Sequence, residues 1–299
     1  MRFTVLPFLL IGFVTGCSAG SDGNTSGGGF GGDGAGGSAQ GGGGGSPGSG
    51  GAGNGGAGSG GFDPTGTGGG GGHMQPSEVF AEGPNTLYKL DPDTKAFTKV
   101  GDFVNCEGGV IDIAIDKNGV MFGTTTGGLW NINKDTAVCT LIADGNYPNS
   151  LSLVPKGTVD PNEEALVGYN GSTYIRIDKV TGNVTDIGTL QGGYISSGDI
   201  VSVIGGGTYL TVNGNDCSDC IIQVDPKTGD MMQMIGHLDH QSVFGLAFWA
   251  GAAYGFDDGG KLFEIDLTNG TTTPIQSGGF TVPQFWGAGS TTSAPVVPK

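Results

Sequence analysis

The sequence predicts an all-β protein, a five-bladed β-propeller whose C-terminal strand closes the first blade, preceded by a disordered glycine-rich linker. Three observations carry that expectation. Five segments share two short apolar runs around a polar turn: LYKLDPDTKAFTKVG from Leu87, LWNINKDTAVCTLIA from Leu129, YIRIDKVTGNVTDIG from Tyr174, IIQVDPKTGDMMQMIG from Ile221 and LFEIDLTNGTTTPI from Leu262. Their turns begin at Asp91, Asn133, Asp178, Asp225 and Asp266, spaced 42, 45, 47 and 41 residues apart, which is the period of a four-stranded blade. The third observation is an orphan strand at the end of the chain, matched by a strand missing from the first repeat.

The N-terminal residues 1–16 hold one cation, Arg2, then the apolar run from Phe3 to Val14, then Thr15 and Gly16 ahead of Cys17. A charged head, a short apolar segment and small residues at the cut are the layout of a secretory signal, too short for a spanning helix. Val14-Thr15-Gly16-Cys17 resembles a bacterial lipobox. The resemblance implies that Cys17 is lipidated and opens the mature protein, which then meets the membrane through its lipid anchor only. Ser18 follows, with no Asp in the place of the inner-membrane retention signal, and this implies the outer membrane or the cell surface.

Of the 55 residues 18–72, 30 are glycine, and most others are Ser, Ala, Asn and Thr. Such a segment buries too little apolar surface to offset the entropy of ordering. There is no Gly-X-Y register, so collagen is excluded. Residues 17–75 are therefore expected to be a tether with an end-to-end distance of about 40 Å.

From residue 76 the composition changes, and 76–292 read as the propeller with 293–299 as a tail. Each hairpin is preceded by a further strand: Val79-Phe80-Ala81, Met121-Phe122-Gly123, Leu166-Val167-Gly168, Leu210-Thr211-Val212 and Tyr254-Gly255-Phe256. A fourth strand comes earlier in repeats two to five, at Ile111 to Ile115, Ser150 to Val154, Asp199 to Val203 and Phe244 to Phe248. Repeat one lacks it, and the segment Gln284 to Thr291 supplies it, removing an exposed sheet edge. The recurring Asp or Asn is read as a turn cap rather than a calcium ladder, because its side chain can accept from backbone N–H groups around the turn. Gly182, Gly229 and Gly270 stand four residues on, where a left-handed conformation closes the hairpin; Lys95 and Ala137 hold that place in the first two copies, whose turns are expected to differ.

With the pattern G-x-L-Y-x-I-D-x-x-T-G-x, the repeats resemble those of bacterial secreted β-propellers of the quinoprotein-like kind. The resemblance implies the fold across 78–292 and no cofactor, since three Trp are too few to repeat once per blade. Propellers host enzymes, adhesins and scaffolds alike.

Without Cys17, four cysteines remain in an exported chain, so two disulfides are expected: Cys217 with Cys220 across a loop, and Cys106 with Cys139 by elimination. A redox CxxC wants a helix N-terminus, and none is readable here. His237, His240 and His73 are the only histidines, and no third ligand is evident for a metal, so none is expected. Losing Arg2 with the leader leaves 11 Lys and Arg against 28 Asp and Glu, a net charge of −17. That excludes nucleic acid and anionic surfaces as partners, and the chain is expected to be a monomer.

The loops between blades gather Asn105, Glu107, Tyr147, Asn149, Tyr194, Asp239, His240 and Phe280 near one mouth of the ring, an aromatic and polar mixture suited to a glycan or protein ligand. Asp112 and Asp199 head two inner strands and are expected to face each other across a solvated funnel. They are the candidate acid and nucleophile or base of a glycoside hydrolase, or the holders of an axial cation. The reading that follows is a lipid-anchored recognition propeller without catalysis; a glycoside hydrolase and a purely structural envelope protein are the alternatives. Replacing Cys17 by Ser should release the protein from the membrane fraction and leave the propeller's thermal unfolding unchanged; retention at the wild-type level would overturn the lipid anchor.

Overall fold

The computed structural model describes residues 77–298 apart from 215–216 and 279–280, so the expected signal and tether, Cys17, His73 and Phe280 lie outside the described residues. Apolar and polar side chains alternate between frequent turn formers, and the result is twenty short strands among the described residues. These are β1 (Val79–Gly83), β2 (Thr86–Leu90), β3 (Phe97–Asp102), β4 (Val110–Ile115), β5 (Met121–Thr125), β6 (Gly128–Ile132), β7 (Cys139–Asp144), β8 (Leu151–Val154), β9 (Ala165–Asn170) and β10 (Thr173–Ile177). The second half comprises β11 (Val184–Thr189), β12 (Ile195–Ser202), β13 (Thr208–Gly214), β14 (Cys217–Val224), β15 (Met231–His237), β16 (Val243–Trp249), β17 (Ala252–Asp257), β18 (Leu262–Ile265), β19 (Thr272–Ile275) and β20 (Gly287–Ser290). No helix among the described residues is long and apolar enough to cross a membrane.

They form five antiparallel four-stranded sheets: β20-β1-β2-β3 is blade one, and β4–β7, β8–β11, β12–β15 and β16–β19 are blades two to five. Successive inner strands β20, β4, β8, β12 and β16 touch, and β16 touches β20, which closes the ring. Closure comes from the C terminus as expected, with Val79, Phe80, Ala81 and Glu82 paired to Ser290, Gly289, Ala288 and Gly287. The tail is drawn onto the ring: Ala294 is buried and the Gly251 N–H donates to the Pro295 carbonyl.

Because each blade is apolar on both faces, the core lies between blades rather than at one centre. Phe80, Ile113 and Ile132 fill the space between blades one and two, and Leu151, Leu166 and Leu129 that between two and three. Tyr169, Leu210 and Ile222 do so between three and four. At the closing seam Phe97, Phe256 and Phe285 pack with ring centroids 5.2 to 6.4 Å apart, joining blade one, blade five and the returning C-terminal segment. Each such pair adds about 0.5–1.5 kcal/mol beyond the area it buries.

All five hairpin turns have one construction. The Oδ1 of Asp91, Asn133, Asp178, Asp225 and Asp266 accepts from the N–H two residues on at 2.8–3.0 Å, and the carbonyl of the same residue accepts from the N–H four residues on at 2.7–2.8 Å. The expectation that the first two turns differ is corrected: Lys95 (φ 59°) and Ala137 (φ 56°) take the left-handed conformation of Gly182, Gly229 and Gly270. The closed hydrogen-bond ring imposes that φ whichever side chain is present, at a cost of about 1–2 kcal/mol for a non-glycine residue.

Each turn is also a bearing for the blade before it. In blades one to four the outer strand bulges at Val100, Ile142, Ile187 and Ile235, which the ladder skips, and a small residue follows: Gly101, Ala143, Gly188 and Gly236. That small residue rests against the next blade's turn, so a Cβ at Gly188 would lie 1.7 Å from the Thr228 carbonyl oxygen and one at Gly236 2.1 Å from that of Asn269. Blade five has no outer bulge, and its contact with the turn of blade one is made by Lys95 Nζ donating to Tyr254 Oη at 2.9 Å.

Both expected disulfides are present, Cys106–Cys139 with Cα atoms 5.3 Å apart and Cys217–Cys220 with 5.8 Å. The first is reached because Val104 forms a parallel bridge with Val138, bringing the connection from blade one down the outer edge of blade two. The second was expected in a loop and instead lies within β14, where Asp219 at φ 58° bends the strand between the two cysteines. Gly188→Ala should destabilise the ring by about 1–3 kcal/mol by forcing blades three and four apart. Gly101→Ala meets only ordinary contacts, the nearest at 3.6 Å, and should stay within about 0.5 kcal/mol of wild type; equal melting losses in the two variants would refute the bearing.

Candidate functional site

Five inner strands converge on the axis, and the residues at their upper ends decide what lies there. The ladder between β4 and β5 skips Ile111, and that between β16 and β17 skips Phe244. A bulge re-aims the side chain it displaces. Ile111 and Phe244, with Asn149 ahead of β8 and Trp286 ahead of β20, line a depression of about 280 Å³. Blade four contributes Gly198, where a Cβ would stand 2.1 Å from the Val243 carbonyl oxygen, so no side chain fits there. The mouth thus carries two aromatic rings and one isoleucine, with one amide and one bare backbone.

One residue below the mouth the five strands present Gly287, Asp112, Ser150, Asp199 and Gly245. Asp112 accepts from the N–H of Ile113 at 2.8 Å and, across the blade gap, from that of Leu151 at 2.7 Å. Asp199 repeats this with Ile200 at 2.6 Å and Leu246 at 2.7 Å. Each carboxyl therefore staples its blade to the next, two to three and four to five, by accepting a backbone N–H across the gap. Gly287 carries no side chain, and Glu82, its partner across the ladder, takes the room: a Cβ at 287 would lie 2.5 Å from both Asp112 Oδ1 and Glu82 Oε1.

The solvated funnel of the sequence reading is not what the fold makes. Asp112, Asp199 and Glu82 are all 0 % exposed. Neither oxygen of Glu82 has a hydrogen-bond partner among the described residues, nor has the buried Ser150 Oγ. Burial is the main force raising all three carboxyl pKa values well above the usual range. The Asp199 charge raises Glu82 and Asp112 further, while the amides of Leu246 and Ile200 oppose the rise at Asp199.

The remaining sequence candidates separate into exposed and internal groups. Asn105, Glu107 and Asp239 are exposed and do not line the mouth, and Tyr194 is half-buried away from it. Tyr147 is buried, and its hydroxyl donates to the Gly182 carbonyl at 2.9 Å, serving the bearing between blades two and three. His240 stacks on Phe263 at 3.6 Å and shares a 3.0 Å hydrogen bond with Asp257, so it is a packed residue rather than a surface ligand. His237 stands beside the two cysteines rather than beside His240, with its Nδ1 3.3 Å from Cys220 Sγ and Cys217 close by. The Cys217–Cys220 disulfide leaves those sulfurs no thiolate to offer. Glu82 escaped the sequence reading because it sits on a second strand, and only the side-chain gap at Gly287, some two hundred residues away, admits it to the axis.

Residues 161–294 match the model of the family described as "Repeat of unknown function" (DUF6923). Among curated proteins none matches. Of solved structures, a protein of unknown function from Bacteroides caccae is similar at 14 % identity and a TM-score of 0.41, over 70 % of this chain and 77 % of that one. A chain of the nidogen/laminin complex is similar at 10 % identity and a TM-score of 0.48, over 73 % and 99 %. BamB from Moraxella catarrhalis is similar at 16 % and 0.33, over 64 % and 62 %. At these identities the likeness concerns the fold alone.

Raised folded pKa values mean that the folded state holds more protons than the unfolded chain above pH ~4, so stability falls as pH rises from there through the folded values. In metal-free buffer Glu82→Gln removes one of the three charges and should raise the melting temperature by several degrees at pH 8 and by little at pH 4. An equal shift at both pH values would show that Glu82 is not part of the charged cluster.

Proposed function

We propose that the chain is an exported lipoprotein, anchored through Cys17 to the outer membrane or cell surface, whose propeller binds the terminal sugars of a glycan at the axial mouth without cleaving them. The mouth itself supports this reading. Partly exposed Trp286 and Phe244 offer flat apolar faces to the C–H face of a sugar ring, and exposed Asn149 offers an amide for its hydroxyls. A volume of about 280 Å³ stands at the small end for ligand sites and suits a chain end. The net charge of −17 after loss of the leader speaks for a neutral or cationic glycan over a polyanion. Cys17 and the glycine-rich tether would hold the mouth away from the lipid, where such a ligand is met.

The hydrolase alternative asks that two carboxyls flank a glycosidic bond, with room for a sugar between them. Asp112 and Asp199 lie beneath the mouth, with no exposed surface and backbone amides on both carboxylates. Their geometry suits joining blades better than meeting a substrate.

A panel of neutral, cationic and acidic oligosaccharides, scored for retention and for release of reducing ends, tests the proposal. Retention of a neutral or cationic glycan without cleavage is expected, and Trp286→Ala should weaken it about tenfold or more, a loss of about 1.4 kcal/mol. Unchanged retention by that variant, or cleavage that Asp112→Asn abolishes, would overturn it.

A further inference from the structure

We propose that Cys217–Cys220 is a thiol–disulfide exchange site for low-molecular-weight thiols, in which Cys217 takes the attacking sulfur and His237 stabilises Cys220 as it leaves. A CxxC pair on a strand has no helix N-terminus to favour a thiolate, and here an imidazole stands in that place. Cys220 and His237 are paired directly across the ladder between β14 and β15, with Cys220 Sγ 3.3 Å from His237 Nδ1. Cys217 Sγ lies 3.2 Å from the Val212 carbonyl oxygen. A disulfide sulfur has no proton to give to that carbonyl, whereas a Cys217 thiol donates to it and a Cys220 thiolate accepts from a protonated imidazole. Both sulfurs thus have neighbours suited to the reduced pair.

The backbone around the pair is held without the sulfur bond. Asp219, between the cysteines, donates its N–H to Asn213 Oδ1 at 2.8 Å, while its carbonyl accepts from the Leu238 N–H at 3.0 Å and its Oδ2 from the Ser242 N–H at 2.7 Å. A bridge between residues three apart also constrains the unfolded chain little. Cys106–Cys139 differs, since it spans 33 residues and ties the connection after blade one to β7. Opening Cys217–Cys220 therefore leaves the ring folded.

Exposure sets the direction of attack. Cys217 keeps 7 % exposure and Cys220 none, while His237 is exposed. An opening this small admits a slim thiol rather than a cysteine on another folded chain. Its thiolate bonds to Cys217 Sγ, the Cys217–Cys220 bond breaks, and the electron pair goes to Cys220 Sγ, which takes its proton from the His237 imidazolium; water reprotonates the ring. A second thiolate attacks the sulfur of the bound thiol, forms the external disulfide and releases Cys217, which is protonated by water. Two thiols are oxidised to one disulfide as the protein gains two electrons and two protons, and an external disulfide drives the reverse.

This inference is independent of the glycan reading, and its readouts need no sugar. Full-length protein equilibrated in buffers of reduced and oxidised glutathione, quenched with an alkylating agent and read by peptide mass, tests it. Cys217–Cys220 should open and close reversibly with the buffer ratio while Cys106–Cys139 stays closed, and the opened protein should melt within about 4 °C of the closed one. In Cys220→Ser the glutathione adduct should be found on Cys217. His237→Gln should slow opening about tenfold or more with its melting temperature unchanged, because a leaving sulfur without its proton donor departs more slowly. If Cys220→Ser fails to fold, the wild-type titration and His237→Gln still decide the matter. A pair that stays closed until the ring unfolds, that opens only together with Cys106–Cys139, or that opens at the wild-type rate in His237→Gln would overturn the proposal.

Discussion

A propeller's inner strands each have one edge with no neighbour, and in a ring of five these edges face a narrow, closed axis. Backbone N–H groups left there without acceptors would cost as much as lost hydrogen bonds. Asp112 and Asp199 answer that constraint for Leu151 and Leu246, and in doing so tie blade two to three and four to five. The remedy brings its own difficulty, because it gathers negative charge where water does not reach. The position of Glu82 and the glycine at 287 are arranged around that concentration of charge, while the glycine at 245 lets β16 approach the backbone of β20.

At the rim the blades are held by a different device. A bulge and a small residue in one outer strand lie on the left-handed turn of the next blade, and the pattern runs from Gly101 through Ala143 and Gly188 to Gly236. Backbone against backbone leaves no room for a methyl at Gly188 or Gly236, so spacing between those blades is set sterically. The seam between blades five and one does without it. There the first and last strands of the ring meet, and Phe285 packed on Phe97 and Phe256 supplies apolar area in place of the interlock.

Mouth and charge cluster are adjacent layers of the same strands. Ile111 precedes Asp112, Trp286 precedes Gly287 and Phe244 precedes Gly245; the bulges that turn Ile111 and Phe244 outward also set the height of the residues that follow.

The number of blades, the turn chemistry, the closure by β20 and the pairing of the four cysteines were legible in the sequence. Each depends on local patterning or on simple counting: Asp91 and its four counterparts recur at a fixed place, and repeat one lacks a strand that the chain supplies at its end. Even so, Lys95 and Ala137 look wrong for a left-handed turn until the closed hydrogen-bond ring around them is seen. Burial at the axis was not legible, since Asp112 and Asp199 look the same in sequence whether a funnel is open or shut. Only the tertiary structure decided that it is shut, that Glu82 enters it and that Tyr147 and His240 turn inward. The physical reason is that repeat period and turn type follow from residues a few positions apart, whereas the width of the axis follows from how five strands spread over more than two hundred residues pack edge to edge.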